Sequence, residues 1–104
     1  MLRARLRLSP ALATFVAQLP PALKRKIRAA LHALLADASV GKRLQDPLAG
    51  LWSLPVGRWR IIYRPSRDLL EIVAVGPRKT IYQEAERLGR RAGGPAGSRR
   101  PPQN

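Results

Sequence analysis

The amino-acid sequence predicts a single α+β domain: a helical hairpin packed on a small, mostly antiparallel four-stranded sheet. Three observations carry that prediction. Leucine or alanine alternates with arginine from Leu2 to Leu8, the period of a half-buried strand. Two proline-punctuated stretches between Ser9 and Asp37 carry apolar residues at helical spacing. Three apolar runs between Leu51 and Gly76 are joined by turns too short for parallel crossovers. The 104 residues leave room for one domain and one modest core.

In order along the chain, the first strand sets Leu2, Ala4, Leu6 and Leu8 on one face and Arg3, Arg5 and Arg7 on the other. Ser9-Pro10 supplies an N-cap and a first-turn proline. The short helix that follows aligns Leu12, Phe15, Val16 and Leu19. Pro20-Pro21 ends it and starts a longer helix to Asp37, with Leu23, Ile27, Leu31, Leu34 and Leu35 on one stripe. Lys24, Arg25, Lys26 and Arg28 fall mostly opposite, on solvent. Ser39 to Gly50 reads as a loop. Strands are expected over Leu51–Val56, Arg58–Arg64 and Leu69–Gly76, with hairpin turns at Gly57 and at Pro65-Ser66-Arg67-Asp68. Arg78–Leu88 reads as a short strand end followed by a helical turn. The element order is β-α-α-β-β-β, with no internal repeat.

Residues 1–89 form the expected domain. Residues 90–104, RRAGGPAGSRRPPQN, carry no large apolar side chain and read as a disordered basic tail. The net charge is +14; the tail contributes four arginines and no acid, so residues 1–89 keep +10. A genome rich in arginine codons explains Arg replacing Lys but not the presence of only 6 acids. The excess points to an anionic partner. Met1–Ala36 contains no acid and so has the composition of a transit peptide, but its period-two opening reads as a strand.

Several chemistries drop out. With no cysteine there is no disulfide framework and no thiolate metal site, which fits a reducing cytoplasm. No apolar run approaches the roughly 18 residues of a membrane span. The single histidine, His32, lies mid-helix beside the apolar stripe and reads as a partly buried packing residue, with no second ligand for a metal. Neither a Ser-His-Asp triad nor a glycine-rich phosphate loop is present. What remains is arginine, lysine and tyrosine. On Arg58–Arg64, period two sends Trp59, Ile61 and Tyr63 to the core and Arg58, Arg60, Ile62 and Arg64 to the opposite face. Arg78, Lys79 and Tyr82, following the next strand, are expected to converge with Arg60 on one positive surface. Guanidinium groups bind phosphate bidentately and stay charged at any physiological pH.

These residues resemble the RelE/ParE superfamily of bacterial toxins from type II toxin–antitoxin systems. The resemblance covers most of residues 1–88, including the Leu8-Ser9-Pro10-Ala11 opening, the Leu19-Pro20 break, and Leu44 preceding Gly50-Leu51-Trp52. Its most specific parts are the octets Val56-Gly57-Arg58-Trp59-Arg60-Ile61-Ile62-Tyr63 and Val75-Gly76-Pro77-Arg78-Lys79-Thr80-Ile81-Tyr82. It implies a microbial-RNase-like fold and, in the ribonuclease branch, metal-independent mRNA cleavage, commonly on the ribosome. There the 2′-hydroxyl attacks the adjacent phosphate and leaves a 2′,3′-cyclic phosphate.

Carried over by position, Arg60 and Arg78 stabilise charge on the scissile phosphate, and Tyr82 orients or protonates groups there or stacks on a base. Lys42, Arg43, Arg58 and Lys79 are the candidate RNA-binding residues around them. No cofactor is implied. The implied partners are an acidic, partly disordered antitoxin, mRNA and the ribosome. Two features depart from the strong ribonucleases of the family. Ser53 and Pro55 stand where these often place lysines, and Pro77 where they often place a histidine. The alternative readings are a ParE-like inhibitor of DNA gyrase and a noncatalytic nucleic-acid-binding member.

Overall fold

The computed structural model describes residues 5–92. Strand β1 (Arg5–Arg7) leads into helix α1 (Pro10–Ala17) and helix α2 (Pro21–Ala36). A 3-10 turn at Ala38–Val40 and a two-residue strand β2 (Lys42–Arg43) follow. Then come β3 (Trp52–Val56), β4 (Trp59–Pro65), β5 (Leu69–Pro77) and helix α3 (Arg78–Ala92). The sheet order is β1-β5-β4-β3-β2, with β1 parallel to β5 and the other pairs antiparallel.

The helical hairpin starts as its sequence dictates. The Ser9 hydroxyl accepts a hydrogen bond from the Leu12 N–H at 3.1 Å, closing one of the free donors at the start of α1. Pro10 and Pro21 occupy first-turn positions, where the missing N–H costs nothing. Helix α2 buries Ile27, Leu31 and Leu34 against the sheet. The first core joins these residues to Val16, Ile61, Tyr63, Leu70, Ile72 and Val75, with Trp59 packed at its margin. The assignment of Trp59, Ile61 and Tyr63 to the hairpin side therefore holds.

The fold class is as expected, but several details differ. The sheet has five strands rather than four, because Lys42 and Arg43, read as loop, pair with Ser53 and Trp52. The segment after β5 is a full helix rather than a helical turn, and it runs through Ala92, three residues into the expected tail. The rest of that tail, 93–104, and the start of the first strand, 1–4, lie outside the described residues. Helix α3 also covers the second face of the sheet. Ile61 and Ile62 are adjacent on one strand, so they point to opposite faces, yet both are fully buried. Ile62 packs into a second core with Leu51, Ala74, Ile81 and Ala85. The face expected to present arginine to solvent is thus half closed by α3. His32, in contrast, is exposed rather than partly buried.

A bulge makes the two cores compatible. Ile62 pairs with Ala74 but Tyr63 pairs with Ile72, leaving Val73 unmatched. One extra residue reverses side-chain parity along β5. Leu70, Ile72 and Val75 consequently reach the first core, while Ala74 reaches the second.

Candidate functional site

The candidate site grows from the β3–β4 hairpin and the start of α3. Gly57, at φ 63°, opens a two-residue turn of the primed type, which needs positive φ at its first central position. This turn brings Arg58 to the sheet end. Arg60 pairs with Pro55 on one side and Gly76 on the other. The Arg78 N–H donates to the Arg58 carbonyl at 2.9 Å, fixing the start of α3 against the hairpin. The first turn of α3 sits close on the strand: a Cβ on Gly76 would stand 2.9 Å from Cδ1 of Ile81. The glycine leaves room for the Ile81 side chain, by which the first turns of α3 pack on the strand.

Arg60 is half-buried, and its Nη1 donates to the carbonyls of Gly57 and Trp59 at 2.9 and 2.8 Å. These bonds hold the guanidinium at the hairpin while its other N–H groups find no protein acceptor among the described residues. Arg58, Arg78 and Lys79 are exposed and carry no ion pair among those residues. Arg64, expected on the same outward face, is instead bound by Glu71 at 2.8 Å and removed from the free basic surface.

Tyr82 is half-buried, and its phenol shares a 3.1 Å hydrogen bond with the Ser53 hydroxyl. Ser53 is only 5% exposed, so its hydroxyl bonds the phenol away from bulk water. It pairs with Ile62, so Tyr82 is anchored over the row next to Arg60. Ser53, read from sequence as a missing lysine, is a partner that holds the tyrosine. The bond spans 29 positions in sequence, and no local pattern announces it.

The loop residues divide. Lys42 pairs with Ser53 and therefore lies on the Tyr82 face, one strand spacing beyond it. Arg43 points to the other face and lies over the Trp52 ring, 5.7 Å from its centroid. Strand register and the Ser53 bond thus put Arg60, Lys42 and Tyr82 on the face covered by α3, the backbone of Arg58 and the start of α3 with Arg78 and Lys79 meet at its end, and Arg43 is left out. Buried Tyr63 holds the loop leading to Lys42: its hydroxyl donates to the Ala38 carbonyl at 2.7 Å and accepts from the Gly41 N–H at 3.1 Å. Burial pushes the Tyr63 phenol above its ordinary pKa, opposed by the Gly41 N–H, while the nearby Asp37 charge adds to the rise. Asp37 itself is held below its ordinary value because the Ser39 hydroxyl and N–H donate to its carboxylate. Among the described residues, no group of three or more His, Cys, Asp or Glu side chains is placed to hold a metal ion. No helix among them is long and apolar enough to cross a membrane.

The family model described as the ParE toxin of the type II toxin–antitoxin system parDE matches residues 8–82. The chain belongs to this toxin family, within the RelE/ParE superfamily. Among solved structures, the RelBE2 toxin–antitoxin complex from Mycobacterium tuberculosis is similar at 26% identity and a TM-score of 0.65, covering 74% of this chain and 100% of that one. A mutant of the E. coli toxin RelE in the free state matches at 14% identity and a TM-score of 0.65, over 84% of this chain and 97% of that one. The YoeB–YefM complex from Staphylococcus aureus matches at 17% identity and a TM-score of 0.61, over 71% and 95%. The last two establish likeness of fold alone. No curated protein sequence matches the chain.

Proposed function

We propose that this toxin is a metal-independent endoribonuclease that cleaves mRNA on the ribosome, in the cytoplasm. The observation that supports the reading is that β4, the end of β5 and the start of α3, which carry Arg60, Arg78 and Tyr82, meet at one end of the sheet. Arg60 and Arg78 supply guanidinium forks for a phosphate whose charge grows as the 2′-hydroxyl attacks. Tyr82, held by Ser53, orients or protonates a group at the cleaved bond or stacks on the adjacent base. Arg58, Lys79 and Lys42 extend the positive surface along the RNA backbone; Arg43, on the opposite face over Trp52, has no part in it. An acidic antitoxin is the natural inhibitor of so basic a surface.

The reading is tested by incubating the purified chain with mRNA-programmed ribosomes and determining the chemistry of the fragment ends. Internal 2′-hydroxyl attack leaves 2′,3′-cyclic phosphate and 5′-hydroxyl ends. Intact mRNA, or fragments with 5′-phosphates, contradicts it. A second reading, inhibition of DNA gyrase, is favoured by the ParE designation of the matching family. It also draws support from a face whose described residues include no histidine. A gyrase supercoiling assay on the same preparation separates the two.

A further inference from the structure

Cleavage by 2′-hydroxyl attack moves two protons: one leaves the 2′-hydroxyl, and one must reach the 5′-oxygen as its bond to phosphorus breaks. Arg60 and Arg78 cannot supply the second, because a guanidinium does not give up its proton in a protein. Glu71, on the same face as Arg60, is held by Arg64 at 2.8 Å. His32, the only histidine, lies on α2, across the sheet from α3. The row of the sheet at Ser53 holds two side chains that can exchange protons, Tyr82 and Lys42. The first turn of α3 carries Lys79, also exposed; Lys42 differs in how firmly its backbone is placed.

Strand β2 is two residues long and lies at the edge of the sheet, so its own ladder to β3 fixes it weakly. A buried clamp adds what the ladder lacks. The Tyr63 ring is fully buried, and its hydroxyl accepts from the Gly41 N–H at 3.1 Å and donates to the Ala38 carbonyl at 2.7 Å. Gly41 lies so close that a Cβ there would meet this hydroxyl and stand 2.7 Å from the Ser53 carbonyl oxygen. On the other side of β2, the Leu44 N–H donates to the Leu51 carbonyl at 2.9 Å. Lys42 is thereby seated directly opposite Ser53 on the same face, with Cβ atoms about 5 Å apart. Ser53 in turn bonds the Tyr82 phenol at 3.1 Å. Lys42 is exposed and forms no ion pair among the described residues. Its flexible four-carbon stem can carry the ammonium over the Ser53–Tyr82 pair. A hydroxyl of the core thus seats an exposed cation beside the site's tyrosine.

We propose that Lys42 is the general acid of the cleavage reaction, with Tyr82 orienting rather than protonating. The proposal rests on the ribonuclease reading and assigns the second proton of that reaction. The 2′-oxygen bonds to phosphorus as its proton passes to water. The bond from phosphorus to the 5′-oxygen breaks, and that oxygen takes a proton from Lys42 Nζ. Solvent then reprotonates the amine. An ammonium has three donors and no acceptor, so it suits the donating step and not the abstracting one. Arg60 and Arg78 stabilise the charge on the phosphate meanwhile.

The test measures single-turnover cleavage on ribosomes programmed with either of two mRNAs. One is ordinary; the other carries sulfur in place of the 5′-bridging oxygen at the mapped cleavage site, and a thiolate leaves without a proton. On the ordinary mRNA, Lys42→Met lowers the rate about 10²-fold or more. Lys42→Arg keeps the charge but cannot give up its proton, so it is equally slow. Both variants regain a rate close to wild type on the sulfur-containing mRNA, whereas Arg78→Ala stays slow on both. Since Lys42 is exposed, both of its variants keep the wild-type unfolding midpoint. An unchanged rate in Lys42→Met, full activity in Lys42→Arg, or a loss that sulfur does not restore overturns the proposal and leaves the ribonuclease reading intact. A wild-type chain that cleaves neither mRNA overturns both.

Discussion

Replacing Tyr63 by Phe isolates the one hydroxyl that ties the core to the loop before β2. The ring is fully buried and its packing is retained. What disappears is the 2.7 Å bond to the Ala38 carbonyl and the 3.1 Å bond from the Gly41 N–H. Leaving a buried polar group unpaired costs about 1–3 kcal/mol. Here Ala38 and Gly41 are half-buried, beside exposed Ser39 and Val40, so water recovers part of the loss. The expected destabilisation is about 1–2 kcal/mol. Urea unfolding measures it: with a slope near 1 kcal/mol per molar for a domain of this size, the midpoint falls by roughly 1–2 M. The phenol's raised pKa sets the pH dependence. The folded state prefers the neutral phenol, so this part of wild-type stability is complete below the unfolded value near 10 and is lost as pH rises through the folded pKa. Tyr63→Phe lacks that loss, and the gap between the two proteins narrows above about pH 10. An unchanged midpoint at neutral pH, or a gap that widens in alkali, refutes the reasoning.

Other substitutions probe the same frame. Gly41→Ala sets a Cβ 2.7 Å from the Ser53 carbonyl oxygen and against the Tyr63 hydroxyl, so it costs about 1–3 kcal/mol in the same urea assay. Ser53→Ala removes the partner of Tyr82 and costs about 1 kcal/mol of stability; ribosomal mRNA cleavage falls by more than that loss of folded protein explains, and Ser53→Thr restores part of it. Glu71→Gln breaks a partly exposed ion pair and shifts stability by less than about 1 kcal/mol, measured by thermal unfolding.

Much of this fold was legible because local and long-range signals agree. Ser9-Pro10 and Pro20-Pro21 mark helix starts whatever packs on them, and Trp59, Ile61 and Tyr63 alternate on an unbulged stretch of β4. Periodicity failed where tertiary packing decides. Ile62 reads as outward until α3 is known to cover it. Helix α3 itself carries Arg78 and Lys79 at its start, where cations oppose the helix dipole, and it is held by Ile81 and Ala85 in the second core. The Val73 bulge reverses parity without leaving any mark of its own in composition. Strand β2, at two residues, is too short for any period to show. In the candidate site, the two octets single out Arg60, Arg78 and Tyr82 as candidates. The role of Ser53 was not, because it depends on a contact between β3 and α3.

The most direct measurement of the central claim maps mRNA 5′ ends in cells after tightly controlled induction of the wild-type chain, Arg60→Ala and Arg78→Ala. The account predicts growth arrest with new ends inside coding sequences. Each variant lowers their yield about 10²–10³-fold, the usual effect of removing one group that stabilises transition-state charge. Arrest with intact mRNA, or cleavage unchanged in both variants, contradicts it.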